Sequence, residues 1–330
     1  MAASTSDGLM PPEWAPQDWL WIGFPHLAQE WPGWLEPAQE QIAAFASAVA
    51  ESGQEVRLLV RDAANEARAR SLVSDKVTLE RRVYGDIWLR DTGPLVVAGG
   101  QGRAARRFGF NGWGGKYLMP GDESVGETLA RDADLPLESS PMILEGGAID
   151  GDGTGLAVTT EQCLLNPNRN KGMLPAQIEA EIERMLGFNR VLWLGEGLIN
   201  DHTDGHVDNL ARFVAPKRLA LPHATTGDDP NIAIYEDARV RALKFGLDVV
   251  PIPSPGLIKR DGEIEPASYV NFAITSHLVV VPTFGVANDE AAVTAIAELF
   301  PDRETIGLNA EAVLAGGGGF HCASQQMPSA

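Results

Sequence analysis

The chain of 330 residues has only two cysteines, Cys163 and Cys322, too few for a disulfide framework. A reducing compartment, the cytoplasm, is the expected home. No stretch approaches the ~18 uninterrupted apolar residues of a membrane-spanning helix, and no membrane partner is expected. Met1 to Pro12 has neither a basic residue nor the apolar run of a secretory signal. Basic side chains are scarce: 26 Lys and Arg face 45 Asp and Glu, a formal charge of −19. That weighs against nucleic acid as a partner, because phosphate binding needs a basic surface. It suits a cationic small molecule, whose approach an acidic mouth speeds. Linkers, low-complexity runs and sequence repeats are missing too. The composition, 44% apolar and 22% charged, is that of a soluble globular protein with ample core material. A single α/β domain over 1–330 is expected, with 1–12 and 327–330 as flexible ends. A homo-oligomer is neither indicated nor excluded.

Strand and helix patterns alternate along the chain. Trp19 to Pro25 reads as a buried strand stopped by proline, and Pro37 to Ser52 as a helix with Ile42, Phe45 and Val49 on one face. Val56 to Val60 and Val77 to Tyr84 read as strands around a short helix from Asp62 to Ser71. Leu95 to Ala98 and Arg106 to Phe110 suggest a hairpin, followed by a loop carrying Trp113. Helices are expected at Glu123–Asp132, Pro175–Leu186, Asp229–Phe245 (capped by Asp229, with Pro230 first) and Asn288–Phe300. Strands are expected at 142–144, 191–194, 218–222, 249–251, 269–274 and 277–281. The run Asp150-Gly-Asp-Gly-Thr-Gly155, with Glu161 in twelfth position, has the ligand spacing of a calcium loop. Its flanks are β-like rather than helical, so a hairpin turn is the preferred reading. The order of strands within sheets is not legible.

Four polar clusters stand out. The first is Asp86-Ile-Trp-Leu-Arg-Asp91, and the second Leu144-Glu-Gly-Gly147. The third is Asp201-His-Thr-Asp-Gly-His-Val-Asp-Asn209, and the fourth Gly316-Gly-Gly-Gly-Phe-His-Cys322-Ala-Ser-Gln-Gln326. His202 and His206 would share a face on a helix and invite a metal, but Gly205 and the following apolar run suggest a turn entering a strand. Four successive glycines serve neither helix nor strand, and fit a backbone that needs positive φ or close approach to a ligand. The residue they lead to, Cys322, is a candidate nucleophile. A thiol and a histidine alone would suit acyl transfer, but several acids around a thiol would raise its pKa. The acids become useful when the substrate is itself a cation. A guanidinium is planar, permanently charged, and offers forked donors that carboxylates match two at a time. The site composition therefore points to guanidine chemistry. Cys163 reads as a packed core thiol, and His26, His223, His277 and His321 as structural.

These clusters, with Cys163-Leu-Leu-Asn-Pro-Asn-Arg-Asn170, resemble the agmatine deiminase family, related to bacterial peptidylarginine deiminases, in order from roughly Trp14 to Gln326. The resemblance implies the pentein fold, a five-bladed ββαβ propeller with the site on its axis, and neither metal nor organic cofactor. It implies Cys322 as nucleophile, His206 as general acid/base, and Asp91 and Asp208 gripping the guanidinium. Glu145 is implied beside His206 or the substrate nitrogen, Trp88 along the channel, and Asn271 and Trp113 as further substrate contacts. The expected reaction is agmatine plus water to N-carbamoylputrescine and ammonia, through a covalent thiouronium on Cys322. Rival readings are deimination of free or peptidyl arginine, amidino transfer to an amine, and a metal-binding protein using Asp150–Glu161 or His202/His206. Ala148 and the segment Phe108 to Gly115 depart from the commonest family pattern, which leaves the contacts of the substrate's far end undefined.

Overall fold

The computed structural model describes residues 8–330. The chain runs β1 (Gln17–Gly23), β2 (Glu55–Val60), β3 (Thr78–Arg81), β4 (Leu95–Gly99), β5 (Gly102–Gly109) and β6 (Leu137–Ile143). It continues through β7 (Asp150–Gly151), β8 (Leu156–Thr160), β9 (Arg190–Leu194), β10 (Arg212–Ala215), β11 (Arg218–His223) and β12 (Asp248–Pro253). A small hairpin, β13 (Lys259–Arg260) and β14 (Glu263–Ile264), precedes β15 (Ala273–Ile274), β16 (Leu278–Thr283), β17 (Glu304–Asn309) and β18 (Ser324–Pro328).

Apart from the small hairpin there are five sheets, and all obey one plan. In β4-β5-β6, β7-β8-β9, β10-β11-β12 and β15-β16-β17, the first pair is antiparallel and the second parallel. A helix bridges each parallel pair: Asp122–Asp132, Pro175–Leu186, Ile232–Phe245 and Asp289–Ala297. The fifth sheet follows the same rule with its pieces taken from opposite ends of the sequence. Strand β18 lies antiparallel to β1, β1 parallel to β2 across the helix Leu35–Glu51, and β3 extends the edge. This is the five-bladed ββαβ propeller, closed into a ring by its last strand.

Local sequence accounts for the bridging helices. In Leu35–Glu51, Ile42, Phe45 and Val49 are all buried, as their spacing requires. Pro175 opens its helix and Gly187 ends it at φ 80°. The helix expected from Asp229 starts at Ile232 instead; Asp229 accepts from the Asn231 N–H at 2.9 Å, spending the cap on a turn. Of the strand expected over 269–274 only Ala273–Ile274 pairs, because the backbone and side chain of Asn271 turn aside to the segment before Cys322. Tyr84 likewise leaves its expected strand, donating its hydroxyl to the Phe24 and Leu59 carbonyls.

The described parts of both ends are packed against the sheets. Leu9 forms a backbone bridge with Ala98, Glu13 is buried, and Met327 is fully buried in β18. Residues 1–7 lie outside the described region.

Candidate active site

The polar motifs fall in the connections between blades, one connection each. Asp86 to Pro94 joins β3 to β4, Glu145 to Gly147 joins β6 to β7, and His206 to Asn209 joins β9 to β10. Asn271 precedes β15 and Cys322 precedes β18. Five motifs widely separated in sequence thus reach one axis.

Gly147 marks the centre. A Cβ there would lie 2.7 Å from His206 Nδ1, 2.9 Å from Asp91 Oδ1 and 3.1 Å from Asp208 Oδ2, so these three groups converge on a point with no room for a side chain. Cys322 Sγ accepts from Asn271 Nδ2 at 3.1 Å and lies 3.4 Å from Asp208 Oδ2. The glycine run works mainly by close approach: a Cβ at Gly318 would meet the Trp88 ring at 2.6 Å, and only Gly317 of the four has positive φ, 109°.

Asp91 accepts from the Gly147 N–H at 2.9 Å and from Trp113 Nε1 at 2.8 Å. Trp113 reaches it from a left-handed backbone, φ 52° and ψ 53°. For a bulky residue such strain costs on the order of 1–3 kcal/mol and persists where the surroundings fix it. His206 is fully enclosed, its Nδ1 3.7 Å from Asp91 Oδ1 and its Nε2 without a partner. Glu145 Oε1 accepts from Arg169 Nε at 2.6 Å, while Oε2 is unpartnered. Arg169 continues to Asp204 and the Thr203 carbonyl, which braces the His206 loop. Asp208 Oδ1 is likewise buried and free, while Oδ2 is 2.8 Å from His321 Nδ1.

The charges explain one another. Burial would depress the His206 imidazolium, but Asp91, Cys163 and Glu145 outweigh it and hold its pKa well above the usual histidine range. Burial raises Asp91 despite the cation of His206. Burial would also raise Asp208, yet the bond from His321 and the nearby cations bring it below the ordinary carboxylate value. Burial, then Asp208 and Asp91, push the Cys322 thiol well above its usual value. Without a cation beside it, the sulfur is therefore a neutral thiol.

A cleft of ≈ 140 Å³ opens above Sγ, lined among others by Glu30, Asp86, Trp88, Trp113, Tyr117 and His202. Trp88 stacks on Trp31, whose Nε1 donates to Asp86 Oδ1 at 3.3 Å. No Lys or Arg lines this cleft among the described residues.

Several expectations are revised. Asn271, expected as a substrate contact, also contacts the candidate nucleophile: its Nδ2 bonds Sγ, and its Oδ1 accepts from the Cys322 N–H at 3.4 Å. Cys163 is in the core, but its sulfur lies within 4.8 Å of ligand-type atoms of both Glu145 and His206. That trio could ligate a metal, yet the guanidinium of Arg169 already supplies the cation there. The calcium reading fails on chemistry: Asp150 accepts from Phe213 N–H and faces Arg212, Glu161 pairs with Arg241, and Asp152 folds the hairpin turn through Thr154 and Leu156. His202 faces the cleft beside Tyr117 while His206 is enclosed, so the metal pair dissolves as well. Glu13, Arg169 and His321 were not expected at the site. Only the last two had a signal, their place inside motifs.

Residues 9–328 match the family model described as Porphyromonas-type peptidyl-arginine deiminase. A Marinomonas sp. (strain MWYL1) protein named "Putative agmatine deiminase" is 35% identical, over 97% of this chain and 94% of its own. The solved agmatine deiminase of Enterococcus faecalis superposes with a TM-score of 0.94 at 28% identity, covering 99% of both chains. That of C. jejuni gives 0.88 at 28% identity over 96% and 95%.

Proposed function

Given that the chain belongs to the Porphyromonas-type peptidyl-arginine deiminase family, we propose that it hydrolyses agmatine to N-carbamoylputrescine and ammonia through Cys322. Its class is the hydrolytic cleavage of a guanidino C–N bond. The observation that supports agmatine is the cleft wall. Two acids, Glu30 and the buried Asp86, face the far end of the substrate with no cation to receive a carboxylate. Agmatine ends in an ammonium that such acids attract, whereas the carboxylate of free arginine would meet like charge. The volume of ≈ 140 Å³ is well below the ~300–1,000 Å³ of drug-sized pockets and suits a short linear molecule better than a polypeptide.

Chemistry follows from the charges. The incoming guanidinium places positive charge between Asp91 and Asp208, offsets their repulsion of the sulfur, and lets the Cys322 proton leave to solvent. The thiolate adds to the guanidinium carbon, held in a near-attack pose by the two acids. His206, an imidazolium at rest, donates its proton to one amino nitrogen as the C–N bond breaks. Ammonia departs, leaving an S-alkylthiouronium. Neutral His206 then takes a proton from water as the hydroxide adds to the same carbon. Collapse breaks the C–S bond, the new hydroxyl proton passes to sulfur, and the ureido product leaves. Proton transfer of this kind contributes about 10²–10⁴-fold.

Ammonia release from agmatine, free arginine and an arginine peptide tests the substrate. Agmatine is expected to be preferred, and a preference for either arginine substrate overturns the assignment. Acid-quenched turnover should carry an amidino adduct on Cys322, and Cys322→Ser should be folded and inactive. An unmodified thiol under steady turnover refutes the covalent route.

A further inference from the structure

The next residue back from the nucleophile points away from the substrate, into a buried line of polar contacts. His321 is 2% exposed, with Nδ1 2.8 Å from Asp208 Oδ2 and Nε2 2.9 Å from Glu13 Oε2. Glu13 in turn receives Arg212 Nη2 and, at Oε1, the Ile274 N–H at 2.7 Å; Arg90 stands 3.9 Å away. Arg212 continues to Asp150 at 3.5 Å and the Phe272 carbonyl at 3.0 Å. The line thus runs Asp208, His321, Glu13, Arg212, Asp150.

We propose that His321, clamped between Asp208 and Glu13, is a positioning residue that fixes the Asp208 carboxylate beside the nucleophile. Three observations carry this. Both ring nitrogens are engaged, Nδ1 by Asp208 and Nε2 by Glu13, so the ring cannot turn without losing a contact. The bond to Oδ2 leaves the buried Oδ1 as the one unpartnered oxygen of Asp208, so the carboxylate is fixed with a single open valence. The same Oδ2 is the atom 3.4 Å from Cys322 Sγ, so the angle of this carboxylate sets both the guanidinium grip and the surroundings of the sulfur. A packing histidine would not account for the open oxygen. Glu13 lies 308 residues from His321 in sequence, and so couples the N-terminal segment to the nucleophile across the closing sheet.

The inference rests on the guanidine-deiminase reading, and the experiment separates the two. Full-length protein and its His321→Asn, His321→Gln and His321→Leu variants are assayed on agmatine for kcat, KM, pH profile and Tm. The amide of Asn can donate near the Nδ1 position, toward Asp208; that of Gln reaches the Nε2 position, toward Glu13. His321→Leu is expected to lose about 10²-fold or more in kcat/KM, the cost of a misplaced catalytic group. His321→Asn should recover at least tenfold of that and His321→Gln should not. The groups facing Asp208 are His321, His206, Asp91, Arg212, Arg90 and Cys322, and those facing His321 are Asp208, Glu13 and Asp150. His321 is the main partner that holds the Asp208 pKa down, so the acid limb of kcat/KM should move to higher pH in all three variants. Equal activity in the Asn and Gln variants, or an unmoved acid limb, reduces His321 to packing and overturns the proposal. Should those variants not fold, Glu13→Gln, which weakens only the far contact of the ring, is assayed in the same way. A fall of tenfold or more in kcat/KM is expected, and an unchanged value overturns the proposal. Wild-type protein inactive on every guanidine would instead refute the deiminase reading.

Discussion

Replacing Asp91 by Asn removes one negative charge from the centre of the site and keeps its shape. Two losses follow. The first is the charge-assisted bond to the guanidinium, worth about 1.5–3 kcal/mol. The second acts through His206, whose Nδ1 is 3.7 Å from Asp91 Oδ1. At an effective dielectric of about 20, that separation corresponds to about 4 kcal/mol of attraction favouring the imidazolium. Since each 1.36 kcal/mol is tenfold in rate, the contact costs about 10²-fold in kcat/KM, while the lost attraction lowers the His206 pKa and costs rate only at high pH. The sign in pH is fixed. Asp91 is among the charges that hold the His206 pKa up, so without it the imidazolium deprotonates at lower pH and the alkaline limb of kcat moves down. Ammonia release by Asp91→Asn across pH 6–10, with Tm recorded in parallel, measures both. A folded variant within tenfold of wild type, or an alkaline limb that stays in place, would refute the roles given to Asp91 and His206.

Asp208→Asn should abolish turnover yet speed alkylation of Cys322 by neutral iodoacetamide at pH 7, because Asp208 is one of the charges that raise the thiol; slower labelling contradicts the electrostatics. Burial pushes Asp86 up to about 6, so the free enzyme loses this anion as pH falls through that value. KM for agmatine should then rise on acidification, and Asp86→Asn should raise KM about 10–10²-fold at pH 8 with kcat little changed; an unchanged KM removes Asp86 from substrate recognition. Asp122 is also raised by burial, to about 7, although its Oδ1 accepts from the Gly85 and Asp86 N–H groups. A carboxyl raised in the folded state stabilises below its unfolded pKa of 3.8, and that advantage is lost as pH climbs through 7. Asp122→Asn should therefore be near neutral at pH 4 and stabilise by up to about 4 kcal/mol at pH 8, read from denaturant midpoints; equal effects at both pH values count against it.

The chemistry-bearing motifs were legible because they are short and local: an acid beside a Trp, an acid before two glycines, a cysteine after four. Bridging helices were legible for the same reason, since the stripe and stop signals of Pro175–Leu186 need no distant partner. What failed depends on distance or on weak pattern. Strand β18 consists of Ser, Gln, Gln, Met and Pro, with neither alternation nor β-propensity, and is a strand because β1 offers it a partner. Strand β17 is half-exposed and has no buried residue to betray it. Glu13 carries no signal in the sequence, because its Arg212 partner is 199 residues away. Asn271 was noticed, but whether it faced substrate or sulfur depended on the turn that replaced its expected strand. The fivefold plan was invisible without strand pairing, since the blades share geometry and not residues.

The ring is closed by a strand far along the chain from its partner. Cys322 and His321 emerge just before Ser324–Pro328, which must find β1, a strand made some three hundred residues earlier. A chain without residues 319–330 would keep the pieces of four blades but leave the seam open, and would lose Cys322 with it. The proposed nucleophile and the strand that closes the ring thus share one short segment, so whatever loosens the latch also displaces the sulfur.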